Sequence, residues 1–419
     1  MKFNRGKNKL ESKEINANNS TQLGLTTENI KKICIVGPSK YYFSGLTSSA
    51  IFLANALSTK NRISSLLLRK LLPRFMYPGK NNVGRLDSSI DFLPEIKVFD
   101  GMDWNAPFSW WRAYKFLQKE KPDVVIMLWW TPAVAHMQLF LIIMNKFIVK
   151  AKIILEMHEV SDPVDQNYFI KLYSKIMEGT IVRGADAITI HAEWGQKEVC
   201  RLFGIDKKKV TIVPLGLYED YLVNAGAKSI LREQFKIENE FVILSFGMIR
   251  KYKGIPCLIE AFDLLPAEIG RQCRLIIAGE DWNEDNMILP SIENSKYKEK
   301  IIYQPNFIPD EILPDYFSIA DIVVLPYLKS CGSGVANIAM AYGKPLIISN
   351  LETMKDCCGN YLGTKFFPVG NSKILCNEIA TEYAKWASGS NAFYPMPQNT
   401  WEQVAKEYEQ IINNMESKK

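Results

Sequence analysis

Short apolar runs alternate with helical patterns along nearly the whole of this 419-residue chain, and they do so in two successive series. The first series reads as strands over Lys32–Val36, Ile63–Leu68, Ile96–Phe99, Val124–Leu128, Lys152–Met157, Ala187–Ile190 and Val210–Val213. After Gly216 the chain turns polar from Leu217 to Glu240, with one short helical stretch around Leu231–Phe235. A second series follows: Phe241–Phe246, Arg274–Ala278, Ile301–Tyr303, Ile322–Leu325 and Pro345–Ile348. Strands bounded by helices require parallel sheets covered on both faces. Two series split near residue 216 therefore imply two doubly wound α/β domains, over 30–216 and 217–397. Ligands in such sheets sit beyond the carboxyl ends of the strands, so the expected site is the cleft between the domains.

Composition narrows the partners. The eight cysteines are scattered, with no C-x-x-C, and there are only three histidines, His136, His158 and His191. That argues against a zinc site and a disulfide framework and fits a reducing cytosol. No run reaches the roughly 18 apolar residues of a membrane span, the best candidate being Met137–Val149. Residues 1–29 are rich in Lys, Asn and Ser without an apolar core, which reads as a disordered tail and not a secretory signal. The net charge of +6 is uneven: residues 1–160 hold 23 Lys and Arg against 12 Asp and Glu, whereas residues 161–419 hold 28 against 33. One half is thus suited to an anionic partner such as a membrane surface, a lipid phosphate or an acidic glycan, or is basic for solubility alone. The expected location is cytoplasmic, peripheral on the inner face of the membrane, with no nucleic-acid partner.

Four strand ends carry the chemistry. The run Phe241–Phe246 ends at Gly247; Arg250 and Lys253 follow, then Gly254 and a helical pattern through Leu258, Ile259, Ala261, Phe262 and Leu265. A cationic, glycine-bounded turn feeding a helix N-terminus is suited to phosphate, because unpaired N–H groups and the positive dipole end add to the side-chain charges. The same residues also read as an ordinary turn with solvated cations. A second such place is Ser333-Gly334 before the uncharged helix Val335–Tyr342, and a weaker one is Ser44-Gly45 before Leu46–Leu57, where Ser44 is a candidate N-cap. His158 just past Lys152–Met157 stands where catalytic groups stand, although a lone histidine is also often structural. The pattern is not G-x-G-x-x-G, so a dinucleotide fingerprint is absent. The last segment, Trp401–Met415, bears a helical apolar stripe.

Together these pieces resemble the retaining nucleotide-sugar glycosyltransferases of family four, the group 1 enzymes with the GT-B fold of two facing Rossmann-like domains. The matching residues are Gly247, Arg250 and Lys253-Gly254; Leu258-Ile259-Glu260-Ala261-Phe262; Ile277-Ala278-Gly279-Glu280; Asp321 with Leu325-Pro326-Tyr327; Ser333-Gly334; and Ala341-Tyr342-Gly343-Lys344-Pro345. In the first domain they are Ser44-Gly45, His158-Glu159, Ala185-Asp186-Ala187-Ile188 and Val213-Pro214-Leu215-Gly216. The resemblance implies that Arg250 and Lys253 neutralise the donor diphosphate as leaving group, and that Ser333, Gly334 and Val335 offer backbone N–H groups to the same donor. It further implies that Gly45 approaches the donor from the opposite domain and His158 meets the donor sugar near its reacting carbon. Gly247 and Glu280 belong to the donor site, the backbone of Phe307-Ile308 meets the base, and the helix 398–419 crosses back onto the first domain.

The family commonly carries two glutamates eight residues apart, and counted back from Gly343 those positions fall on Ser330 and Ile338. A branch with Ser-Gly-Val in their place looks like this chain. The expected function is transfer of a sugar, without metal or other cofactor, from a nucleotide-diphosphate sugar to a saccharide or lipid-linked acceptor in cell-surface polysaccharide or glycoconjugate synthesis. The other reading, motivated by the lost acidic pair, is a catalytically silent member that binds nucleotide sugar or partners a transferase.

Overall fold

The computed structural model describes residues 30–42, 45–71, 90–160, 168–217, 228–282, 288–330, 332–390, 393–397 and 399–416. The tail 1–29 and Ser44 lie outside them. Two all-parallel sheets account for the two series. The first contains β1 (Lys32–Pro38), β2 (Arg62–Lys70), β3 (Lys97–Asp103), β4 (Val124–Trp129), β5 (Lys152–Met157), β6 (Ala187–Ile190) and β7 (Val210–Ile212), in the order β3-β2-β1-β4-β5-β6-β7. The second contains β8 (Phe241–Phe246), β9 (Cys273–Ala278), β10 (Ile301–Gln304), β11 (Ile322–Leu325), β12 (Leu346–Ser349) and β13 (Thr364–Phe367), in the order β10-β9-β8-β11-β12-β13.

Every side chain of β4, β8, β11 and β12 is buried, because helices cover both sheet faces and leave no solvated side for a polar alternation. In the first sheet one face carries the helices Pro107–Glu120, Ala135–Met144, Tyr168–Gly184 and Glu193–Phe203. The other face is covered by the helix Gly45–Ser58 together with the last helix, Trp401–Glu416, whose Val404, Ala405, Tyr408, Ile411 and Ile412 share a core with Ile33, Ile35 and Ile126. The chain therefore crosses between the sheets twice. The crossings touch: Leu217 N donates to Asn399 O at 3.0 Å. A Cβ on Gly216 would lie 2.5 Å from the Trp401 ring, so only glycine fits beneath that indole.

Two elements depart from the sequence reading. β13 has no continuous apolar run, and Lys365 within it is exposed; pairing with β12 recruits it as an edge strand. β3 continues past Phe99 through Asp103, held to β2 with register shifts at Leu68.

In both sheets the strand order reverses at one place, between β1 and β4 and between β8 and β11. At such a reversal the loops diverge to opposite faces and leave a crevice beyond the strand ends. Gly45 follows the first reversal, while the Arg250–Lys253 turn and the Ser333-Gly334 turn flank the second.

Candidate active site

The crevices open into one cleft of about 820 Å3, lined from the first sheet by Gly45, Ser49, His158, Glu159 and His191, and from the second by Lys253, Ser330, Ser333, Gly334 and Asn337. Asn399, Gln403 and Glu407 close it from the second crossing and the last helix. That volume is in the range of sites for ligands of nucleotide-sugar size.

On the second wall, β8 ends at Gly247 and the chain makes a tight turn over Lys251–Lys253, capped by Gly254 at φ +66°. A Cβ on Gly254 would fall 2.0 Å from Pro326 O, which brings this turn hard against the end of β11. Leu328 N donates to Tyr252 O at 2.7 Å and locks the two turns together. Lys253 Nζ, 4.0 Å from the centre of the Tyr327 ring, donates to its hydroxyl at 2.9 Å, and that hydroxyl lies 2.9 Å from Ser333 Oγ. Ser333 in turn accepts from Ala336 N at 3.1 Å and caps the helix Gly334–Ala341. Ammonium, phenol and N-cap form one continuous chain. Burial lowers the Lys253 ammonium from its usual range, with Arg250 adding to the effect and Tyr252 opposing it.

Arg250 lies apart from that chain. Its guanidinium stacks 4.5 Å from the centre of the Trp282 ring, and it does not line the cleft. Gly247, Glu280, Phe307, Ile308 and Val335 do not line it either. Val335 and Gly247 are neighbours, since a Cβ on Gly247 would meet Val335 Cγ2 at 3.0 Å. The backbone oxygen of Glu280 accepts from Ile249 N at 2.8 Å, and Ile308 packs on the core of the second domain. The fold thus brings Gly45, His158, Lys253, Ser333 and Gly334 to one cavity and sets the other sequence candidates behind or beside its wall. Of the two positions that carry glutamate in the acidic pair, Ser330 lines the cleft; Ile338 is 6 % exposed in the core, and its neighbour Asn337 faces the cleft instead.

On the first wall, His158 ends β5 and His191 ends the adjacent β6. Beneath them lies Glu156, only 3 % exposed. His191 Nδ1 is 3.0 Å from Val213 O, which can only accept, so Nδ1 carries the hydrogen and a neutral ring leaves Nε2 as an acceptor. His158 Nδ1 approaches that Nε2 at 3.2 Å. His158 Nε2 lies 3.0 Å from Glu156 Oε1 without the alignment of a hydrogen bond. His158 thus sits between the His191 ring and a buried carboxylate. Burial pushes the Glu156 carboxyl up, but contact with His158 and the charges of both histidines outweigh it and hold the group below its usual range. Burial, helped by the His158 charge, lowers His191 to about 4, despite opposing contributions from Glu156 and Val213. Tyr408, from the last helix, sits 2.9 Å from Thr189 Oγ1, and burial together with the Glu156 charge holds its hydroxyl well above its usual range.

Candidate ligand atoms of Glu156, His158 and His191 lie within 4.8 Å of one another, a spacing that one cation could span. The two His158 nitrogens, however, face different partners, so the ring would have to turn before all three groups met at one point.

Sequence alone does not single out Glu156, His191, Tyr327 or Tyr408. Two signals were available. Glu156 is a carboxylate inside an otherwise apolar strand, and His191 occupies the same place after β6 that His158 occupies after β5.

Two facing Rossmann-like domains with such a cleft define the GT-B architecture. Residues 227–381, within the second domain, match the family model described as glycosyl transferases group 1. Among curated relatives, O-antigen chain mannosyltransferase B of Escherichia coli is 24 % identical over 208 residues, covering 48 % of this chain and 54 % of that protein. Mannosylfructose-phosphate synthase of Agrobacterium fabrum is 28 % identical over 157 residues, or 35 % and 34 % of the two chains. These matches span about half or less of each relative's length. The fold extends further. Sucrose-phosphate synthase of Thermosynechococcus elongatus superimposes with a TM-score of 0.69 at 15 % identity over 93 % of this chain and 100 % of that one. Anabaena HepE in complex with UDP-glucose gives 0.64 at 15 % identity over 93 % and 100 %.

Proposed function

We propose that this chain is a retaining glycosyltransferase that moves a sugar from a nucleotide-diphosphate donor to a saccharide or lipid-linked acceptor in the synthesis of cell-surface polysaccharide or glycoconjugate. The observation that carries the reading is the Lys253–Tyr327–Ser333 chain, which joins a cationic turn to a helix N-terminus at the reversal of a parallel sheet. A diphosphate seated there meets an ammonium, a helix dipole and the N–H group of Gly334. Its negative charge grows as the glycosidic bond breaks, so groups fixed at that place stabilise the transition state more than the ground state. Arg250 adds charge when the cleft closes and the guanidinium leaves Trp282. His158, across the cleft, faces the donor sugar. The released diphosphate oxygen then takes the acceptor proton, and no metal is required for leaving-group charge.

The names of the relatives support a hexosyl donor, and a mannosyl donor is the first to try. The test is a thermal-melting screen with UDP, GDP and ADP, followed by donor hydrolysis and transfer assays with the sugar nucleotide of whichever base binds. Saturation at about 100 times Kd should stabilise the fold by about 2.7 kcal/mol. A folded protein whose melting no nucleoside diphosphate shifts would sink the donor site. Binding with no turnover on any acceptor would select the catalytically silent reading, which the replaced acidic pair at Ser330 and Ile338 favours.

A further inference from the structure

The three neighbouring elements Pro107–Glu120, Ala135–Val149 and Tyr168–Gly184 form one layer on the first sheet, the middle one packing against both of the others. Their inner sides are core: Ala113 and Leu117, Met137 and Leu141, Ile181 and Val182 are all buried. Their outer sides are not ordinary surface. Phe108 is 76 % exposed, Phe147 69 % and Ile176 59 %, and Trp111, Ile148 and Leu172 are also exposed. On Pro107–Glu120 the exposed positions 108, 111, 112, 115 and 119 fall in one helical stripe. Arg112, Lys115, Lys146, Lys150 and Lys175, all exposed, stand among these apolar groups. Across the three elements and Lys150 there are eight Lys and Arg against two Glu, and Glu120 is already paired with Lys97 at 2.9 Å.

We infer that this layer is a docking face for an anionic lipid bilayer. Large apolar side chains projecting singly between lysines suit a headgroup region, where rings and aliphatic tips enter the acyl boundary while ammonium groups stay among phosphates. Lys115 has that posture, its Nζ 5.4 Å from the centre of the Trp111 ring. A protein partner selects the opposite pattern, an apolar centre depleted of lysine. The run Pro132–Val149 is long and apolar enough to cross a membrane by length and composition. One side of it is built into the domain core through Val134, Ala135, Met137 and Leu141, so it lies along a bilayer surface and not through it. The face also has a defined relation to the cleft. Of the strands these elements follow, β5 ends at the cleft, where His158 and Glu159 line it. An acceptor held in the bilayer would then be presented from the membrane side of the cleft.

The face does not depend on what the cleft binds, so the two readings fail separately. The experiment is co-sedimentation of the full chain with vesicles of phosphatidylglycerol and phosphatidylcholine, against phosphatidylcholine alone, at low and high salt. Binding is expected to require the anionic lipid and to weaken with salt. The double variant Lys146→Gln/Lys150→Gln should bind on the order of thirtyfold more weakly, at about 1 kcal/mol for each charge near the surface. Phe147→Ser/Ile148→Ser should lose at least about tenfold, from the apolar area no longer buried. Unchanged melting shifts with nucleoside diphosphate keep the fold and the cleft out of question. No pelleting at low salt, undiminished binding in both variants, or self-association in the absence of lipid that the same substitutions abolish would each overturn the inference.

Discussion

The second wall of the cleft draws its polar groups from two turns that follow adjacent strands, whereas the first gathers Glu156, His158, His191 and Tyr408 from two strands and the last helix. The second wall is consequently local: Lys253 and Ser333 each sit within a few residues of the glycine that shapes their turn. Its cation is held by a phenol, with no carboxylate beside it in the described contacts, and remains available to an incoming anion. The first wall is the reverse. Its buried carboxylate, Glu156, is already in contact with His158, and its geometry depends on a helix more than 200 residues away in sequence. One wall is ready for a charged ligand; the other has its polar groups engaged with one another before any ligand arrives.

The largest test of that contrast is Lys253→Ala. It should cut transfer by about 100- to 1000-fold, the usual cost of losing one preorganised charge-stabilising group, while melting changes little. A rate near normal would remove the second wall from the chemistry. Next is the pH profile of stability, which reads the first wall. His191 is lowered to about 4 in the folded chain against an ordinary value of 6.5, so between those values the unfolded chain takes up a proton that the folded one refuses. Stability should therefore fall on acidification from about pH 6.5 to 4, by up to roughly 3 kcal/mol from this group, and His191→Gln should flatten that stretch of the curve. Glu156, held below its usual range, adds a loss of the same sign at still lower pH. Urea unfolding at fixed pH values measures both, and a flat wild-type curve would mean the histidine is not buried neutral.

Arg250→Ala should cost less than Lys253→Ala, about tenfold in transfer, because the guanidinium rests on Trp282 outside the cleft. Equal losses would show that Arg250 carries as much of the leaving-group charge as Lys253. Smallest is Tyr327→Phe, which keeps the ring under the ammonium and removes only the hydroxyl between Lys253 and Ser333. At about 1 kcal/mol for such a bond, nucleotide Kd should rise about fivefold, as calorimetry would resolve.

The same local-versus-distant contrast explains what could be read from the chain. Glycines, cations and apolar periodicity within a dozen residues located the two strand series, the Lys253 turn and the Ser333 helix start, because turns and helices obey short-range rules. His158 is visible as a strand-end residue, but its partners are not, since Glu156 lies beneath it and His191 one strand away. Tyr327 looked like the punctuation of a strand, and only the packing of Gly254 against Pro326 turns its hydroxyl into a link. Arg250 looked equivalent to Lys253 in sequence, and Trp282 separates them. The edge strand β13 escaped because pairing with β12, and not its own composition, makes it a strand.

The paired crossings at Leu217 and Asn399 have a mechanical consequence. Two chain segments bonded side by side, with Trp401 laid over Gly216, act like a double-pinned door: the halves can swing about the line of the pins but resist twisting around it. Opening and closing then reduce to a single angle. Cutting one segment, for example by limited proteolysis, should leave the halves joined but loosely aligned, so that motion is lost before attachment is.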